Sequence, residues 1–186
     1  PAIRPEFDYA ATFPTEKKKT ADWLESGFGV VNLHDRDGIM RGTSSVIMLG
    51  QNNPNEALIQ AGAANHLSFS KGTSPDDYPS SFIGAIALMR QTYYDAKWYA
   101  GLGATKKEVN PSLEAINKRT SLPNIIELNH SLSVRNVELL EKEFDKTFIM
   151  VGVGKEYLAL KEMTSTSKMI VPLNFPKALA VEDPYL

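Results

Sequence analysis

The sequence predicts an α/β fold, a partial (β/α)8 barrel segment with mostly parallel strands. Three observations carry this. First, the last third alternates short apolar runs with amphipathic stretches of about ten residues. "NIIELN" (124–129), "TFIMVGV" (147–153) and "KMIVPLNF" (168–175) read as buried strands, with "SVRNVELLEKEF" (133–144) and "KEYLALKEMTSTS" (155–167) as the helices between them. Parallel neighbours need such crossovers, which are right-handed and leave ligand sites at the strand C-terminal ends. Second, Phe82, Ile86, Met89 and Tyr93 recur at helical spacing in a long amphipathic stretch. Third, 42% of the 186 residues are hydrophobic, which supplies one core, and no apolar run approaches a membrane span.

Taken in order, residues 1–14 carry Pro1, Pro5 and Pro14 and read as irregular, and 15–186 as βα units of a single domain. Thr15 caps a predicted helix over "EKKKTADWLESGF", with Ala21, Trp23 and Leu24 inward and Gly27 closing it. "FGVVNLH" reads as a strand ending at His34, and "DRDGIMRG" as a loop. "TSSVIMLG" and "EALIQAGAANHLSFS" supply two or three more strands, with turn chemistry in "QNNPN" between them. The loop "SFSKGTSPDDYPSS" (68–81) leads into the long helix, which Ser80 or Asp77 can cap and Gly101 or Gly103 can stop. "NPSLEAINKRT" is a further helix, with Pro111 near its start, where a missing N–H costs little.

With 20 basic and 22 acidic side chains, net charge −2, nothing in the overall charge favours nucleic acid or an anionic membrane. No cysteine is present, which excludes disulfides, thiolate metal sites and a thiol nucleophile. No signal peptide is visible, and the sequence names no compartment. A chain that starts at Pro1 without a methionine is expected to be a segment of a longer protein.

The loop at 68–81 has the wrong order for a phosphate loop: Lys71-Gly72-Thr73 lacks the upstream glycine that G-x-x-x-x-G-K-[ST] requires. His34, His66 and His130 are isolated, with no H-x-H or H-E-x-x-H to bring two imidazoles onto one metal. Asp35 and Asp37 flank Arg36 and either face a cleft or satisfy a tight loop with Gly38. Glu127 lies within a strand predicted to be buried, where an unpaired carboxylate is costly. It must point into a polar pocket or pair with a lysine or arginine.

The runs "IRPEF", "SGFGVVNLHDRDGIMRGTSSVIMLG" and "HLSFSKGTSPDDYPSSFIGAIALMRQTYYDAKWYA" resemble a bacterial branch of the amidohydrolase superfamily. Its members are long imidazolonepropionase-related proteins with two amidohydrolase-like halves in tandem, and the resemblance is to the first half. It implies a barrel that binds divalent metal and hydrolyses C–N bonds, with cyclic amides or dipeptide-like compounds as substrates. It also implies an H-x-H after the first strand, single histidines after the fifth and sixth, and an aspartate after the eighth. Here the H-x-H is absent, the fifth-strand position falls at Glu127 or Asn129, and the sixth at Gly152. A two-residue shift of register makes His130 the fifth-strand ligand instead.

The candidate catalytic residues are therefore Glu127, His130, His34 and Asp37. The candidate ligand-binding residues are Arg41, Lys71 and Asn129. No metal site is expected, His130 and Glu127 being the candidates if one exists. No cofactor is expected in this segment, with zinc or another divalent metal reserved for the full-length protein. The expected partners are the remainder of the parent polypeptide and further copies of the chain, without nucleic acid or membrane span. Three functions follow: a catalytically degenerate amidohydrolase-like module, a working hydrolase whose other ligands lie outside this chain, or a small-ligand-binding module using Lys71, Arg41 and Asp37.

Overall fold

The computed structural model describes residues 1–12, 17–51, 53–102, 108–157, 161, 163 and 168–172. In chain order the elements are α1 (Lys17–Glu25), β1 (Val30–Leu33), β2 (Met40–Thr43), β3 (Ser45–Met48), the single turn α2 (Pro54–Ala57), β4 (Leu58–Gln60) and β5 (Asn65–Ser68). They continue with α3 (Phe82–Ala100), α4 (Pro111–Lys118), β6 (Asn124–Glu127), α5 (Ser133–Phe144), β7 (Phe148–Val151) and β8 (Lys168–Ile170). A 3-10 turn, Tyr9–Ala11, precedes them.

Two sheets result. The smaller, β1-β3-β4, is antiparallel. The larger runs β2-β5-β6-β7-β8, with β2 antiparallel to β5 and every other pair parallel. Helices α3 and α4 connect β5 to β6, and α5 connects β6 to β7, as the alternation requires; among the described residues the five strands form an open sheet. The core lies between this sheet and α3 and α5. Ile126, Met150 and Phe148 from the sheet meet Met89 of α3 and Val134, Val137 and Leu140 of α5, all almost fully buried. Burying each such side chain contributes roughly 1.5–3 kcal/mol. Among the described residues no helix is long and apolar enough to cross a membrane.

The structure corrects several local expectations. "DRDGIMRG" is not all loop, since β2 occupies Met40–Thr43. Its strand character comes from its neighbours. Met40 pairs with Leu67 of β5, and on the other side Ile3 bridges to Met40 and Asp8 to Thr43. The N-terminal segment is thereby docked along β2 rather than merely irregular. Ala21, Trp23 and Leu24 are exposed, not inward, because α1 stands outside the core built by α3 and α5. The cap of α3 is Ser81, whose Oγ accepts from the Gly84 N–H at 3.1 Å, in place of Ser80 or Asp77; the helix begins at Phe82, one residue later than a Ser80 cap and four later than an Asp77 cap would require. Gly101 ends α3, and Gly27 follows α1 with a positive φ of 92°, both as expected. Thr15, Gly103 and most of the helix expected over 155–167 lie outside the described residues, as do positions 173–175 of the last strand.

Gly42 shows how closely the N-terminal segment is held. Its φ is +82°, and a Cβ there would stand 2.2 Å from the Phe7 carbonyl oxygen. Gly42→Ala is expected to lower stability by at least about 2 kcal/mol through strain and displacement of that segment. Urea unfolding measures this, and a loss under about 0.5 kcal/mol, the size of an ordinary surface change, would refute the close approach.

Candidate functional site

The C-terminal ends of β5 and β6 carry the polar cluster. Glu127 is the last residue of β6, in register with Ser68 of β5 and Val151 of β7. Arg41 enters from β2, whose Met40 pairs with Leu67 near the same end of β5. Its guanidinium is 3% exposed and its donors are spent inside the fold. Nη1 donates to Glu127 Oε2 at 2.7 Å, Nε to the Gly38 carbonyl at 2.9 Å and Nη2 to the Ser70 carbonyl at 3.3 Å. Glu127 therefore pairs with an arginine, one of the two outcomes its burial demanded.

Two imidazoles complete the cluster. His34, just after β1, places Nε2 3.6 Å from Glu127 Oε1. Its Nδ1 lies 2.7 Å from the Asp35 carbonyl. A carbonyl only accepts, so Nδ1 carries the proton, and in the neutral ring the Nε2 lone pair faces the carboxylate. His66, on β5, stacks on His34 with centroids 4.0 Å apart and planes at 13°. It is 5% exposed, and its Nε2 has no hydrogen-bond partner. Burial, with help from His34 and Arg41, holds His66 down to about 3. Burial also lowers His34, although the Asp35 carbonyl and Glu127 pull it back up. Both rings are neutral at pH 7.

Asp37 stands at the rim, not in the cluster. It accepts from the Thr73 N–H at 2.9 Å and from the Thr73 hydroxyl, and these bonds hold its carboxyl below the usual range. Lys71 donates to the Asp76 carbonyl, and Asp76 Oδ2 accepts from the Ala2 N–H at 2.5 Å. Arg4 pairs with Asp35 at 2.7 Å. The loop 68–81 is thus stitched to loop 34–38 and to the N-terminal segment. Asn129 and His130 are exposed on the loop after β6. Asn129 Oδ1 accepts from the Ser133 hydroxyl at 2.6 Å, and the His130 ring tilts against Phe82 at 5.0 Å.

Of the residues singled out from sequence, the fold brings together His34, Arg41 and Glu127. It engages Asp37, Lys71, Asn129 and His130 elsewhere. His66 is a further member of the cluster, and no sequence motif marks it as a site residue. Its signal was strand alternation, which puts His66 and Ser68 on the face opposite the core residues Leu67 and Phe69.

A divalent metal, which the resemblance implies, does not fit these residues. Among the described residues no three of His, Cys, Asp and Glu converge on a point. One oxygen of Glu127 is taken by a guanidinium, and the two imidazoles are stacked rather than convergent. Gly152, the expected sixth-strand position, follows β7. A Cβ there would meet the Glu156 carboxylate at 2.6–2.9 Å. That carboxylate is itself held by the Val153 N–H and by the Gly154 N–H at 3.0–3.1 Å, so a side chain at 152 has no room.

Parallel strands with a polar cluster at their C-terminal ends define an α/β fold with its candidate site at the strand ends. The solved structure of an amidohydrolase from Thermotoga maritima MSB8 superposes with a TM-score of 0.78 at 16% identity, covering 98% of this chain and 52% of that one. At that identity the likeness is one of fold, and the chain spans about half the length of that protein. No family model matches the sequence, and no curated protein matches it.

Proposed function

We propose that this chain is a catalytically degenerate, imidazolonepropionase-related amidohydrolase segment, a scaffold half that holds the strand-end site without a metal. The observation that supports it is the Arg41–Glu127 pair at 2.7 Å. A fixed, buried guanidinium stands beside the carboxylate that would otherwise be the available metal ligand, and like charge repels a second cation. Zinc lowers the pKa of a bound water to about 7 only when three or so protein ligands leave one position open. Elemental analysis after loading with zinc and dialysis is expected to find no stoichiometric metal, and hydantoin, a cyclic amide, is expected to remain intact. Retained zinc at one equivalent would overturn degeneracy.

A second reading, a working metal-dependent hydrolase, is favoured by one observation: the chain spans 52% of the solved amidohydrolase. The remaining ligands would then come from sequence outside this chain. Zinc bound by a longer parent protein and released by Glu127→Gln supports the second reading. Zinc bound there and indifferent to that substitution supports the first.

A further inference from the structure

Two acceptors in the strand-end cluster face each other with no donor between them. His34 Nε2 lies 3.6 Å from Glu127 Oε1. The Asp35 carbonyl holds the His34 proton on Nδ1, so Nε2 presents a lone pair to the carboxylate. Neither atom receives a hydrogen bond from any described residue. Two such acceptors repel unless a hydrogen donor comes between them.

The surroundings do not supply that donor. Arg41, which does reach Glu127, is bonded to the other oxygen, Oε2, and to the Gly38 and Ser70 carbonyls. Its charge balances the carboxylate. With both imidazoles neutral, the cluster has no net charge to draw a cation. The acceptor pair is also within reach of solvent. The His34 and Glu127 side chains are 22% and 25% exposed, while His66 closes one face of the His34 ring by stacking on it.

We propose that this acceptor pair binds the NH2 group of a neutral primary carboxamide, one hydrogen on His34 Nε2 and the other on Glu127 Oε1. The inference rests on the metal-free reading of the site. Geometry favours a donor with two hydrogens on one nitrogen. A nitrogen about 2.9 Å from both acceptors subtends an angle of about 75° across their 3.6 Å separation. The N–H bonds of a planar NH2 group open at about 120°, so each hydrogen points within roughly 20° of its acceptor and makes a sound bond. The ring N–H of a cyclic amide has one hydrogen and leaves one acceptor bare. An ammonium group adds a charge beside the Arg41 guanidinium, whose own charge the carboxylate already neutralises. A carboxylate ligand brings only lone pairs and is repelled by Glu127.

The test titrates the whole chain, treated with chelator and assayed for zinc, with acetamide, N-methylacetamide and N,N-dimethylacetamide. These offer two, one and no N–H hydrogens. NMR of the His34 ring nitrogens and the Glu127 carboxyl carbon follows the binding. Acetamide is expected to shift both saturably, the dimethyl compound to bind more weakly by about tenfold or more, and the monomethyl compound to fall between. His34→Phe, which keeps a ring against His66, is expected to flatten the series at Glu127. Glu127→Gln is expected to lose acetamide binding, because its own amide then donates to His34 Nε2. Equal affinity for the three compounds in zinc-free protein overturns the proposal and leaves the metal-free reading intact, as does unchanged acetamide binding in a folded His34→Phe. Zinc retained at one equivalent overturns both. If His34→Phe fails to fold, the three-compound series on the parent decides.

Discussion

Acidification from pH 7 to 4 is expected to cost this fold about 3 kcal/mol through His66 alone, and His66→Phe is expected to remove that part of the loss. His66 is buried neutral, with its folded value held down to about 3 from 6.5 by desolvation first and by His34 and Arg41 second. The sign follows from proton counting. Above about pH 6.5 neither state binds the proton, so His66 adds no pH dependence there. Between about 6.5 and 3 the unfolded chain takes it up and the folded one does not, so stability falls as pH falls, by about 1.4 kcal/mol per unit. His34, also lowered by burial, acts in the same direction. Phenylalanine preserves a ring on His34 and carries no proton. Urea unfolding of both proteins across this range measures the difference in slope, expected to be near one proton. Parallel pH profiles would refute a neutral buried His66.

The Arg41–Glu127 pair carries the second large effect. Glu127→Leu leaves the guanidinium, 3% exposed, without its carboxylate, and is expected to destabilise by about 3 kcal/mol. Glu127 is one-quarter exposed, so water reaches part of the site and the loss stays at the low end for such pairs. Arg41→Met also costs, since the Gly38 and Ser70 carbonyls lose their donor. The double variant is expected to recover much of the Glu127→Leu loss, because two apolar groups of similar volume replace two charges. A double-mutant cycle from denaturant unfolding measures the coupling, expected at about 2 kcal/mol. Strict additivity would show that the pair is not a unit.

Much of the helical and parallel-strand framework was legible because its signals are local. Val134, Val137 and Leu140 recur with helical period, and α5 spans the predicted Ser133–Phe144. The long stripe at Phe82, Ile86, Met89 and Tyr93 became α3. Short apolar runs on either side of α5 became β6 and β7, and their parallel pairing follows from the crossover between them. Caps were less legible, since Ser80, Ser81 and Asp77 offer the same chemistry within one turn and only the helix start chooses among them. β2 was hidden because "IMRG", with a glycine at φ +82° and an arginine, carries no strand alternation.

The site divides in the same way. That Glu127 must be paired or pocketed was determined by its place in a buried strand, since desolvating a lone carboxylate is costly wherever the strand goes. Which partner it takes was decided only by tertiary structure. Arg41 is 86 residues away in sequence, and it reaches Glu127 because β2 lies antiparallel to β5 while β6 lies parallel to it. His34, in the loop after β1, and His66, on β5, likewise meet only in the folded chain. Sequence determined the elements, because helical and strand periodicities act over a few residues. The constellation belongs to the fold, because charge pairing and ring stacking act between residues that only strand order brings within a few ångströms.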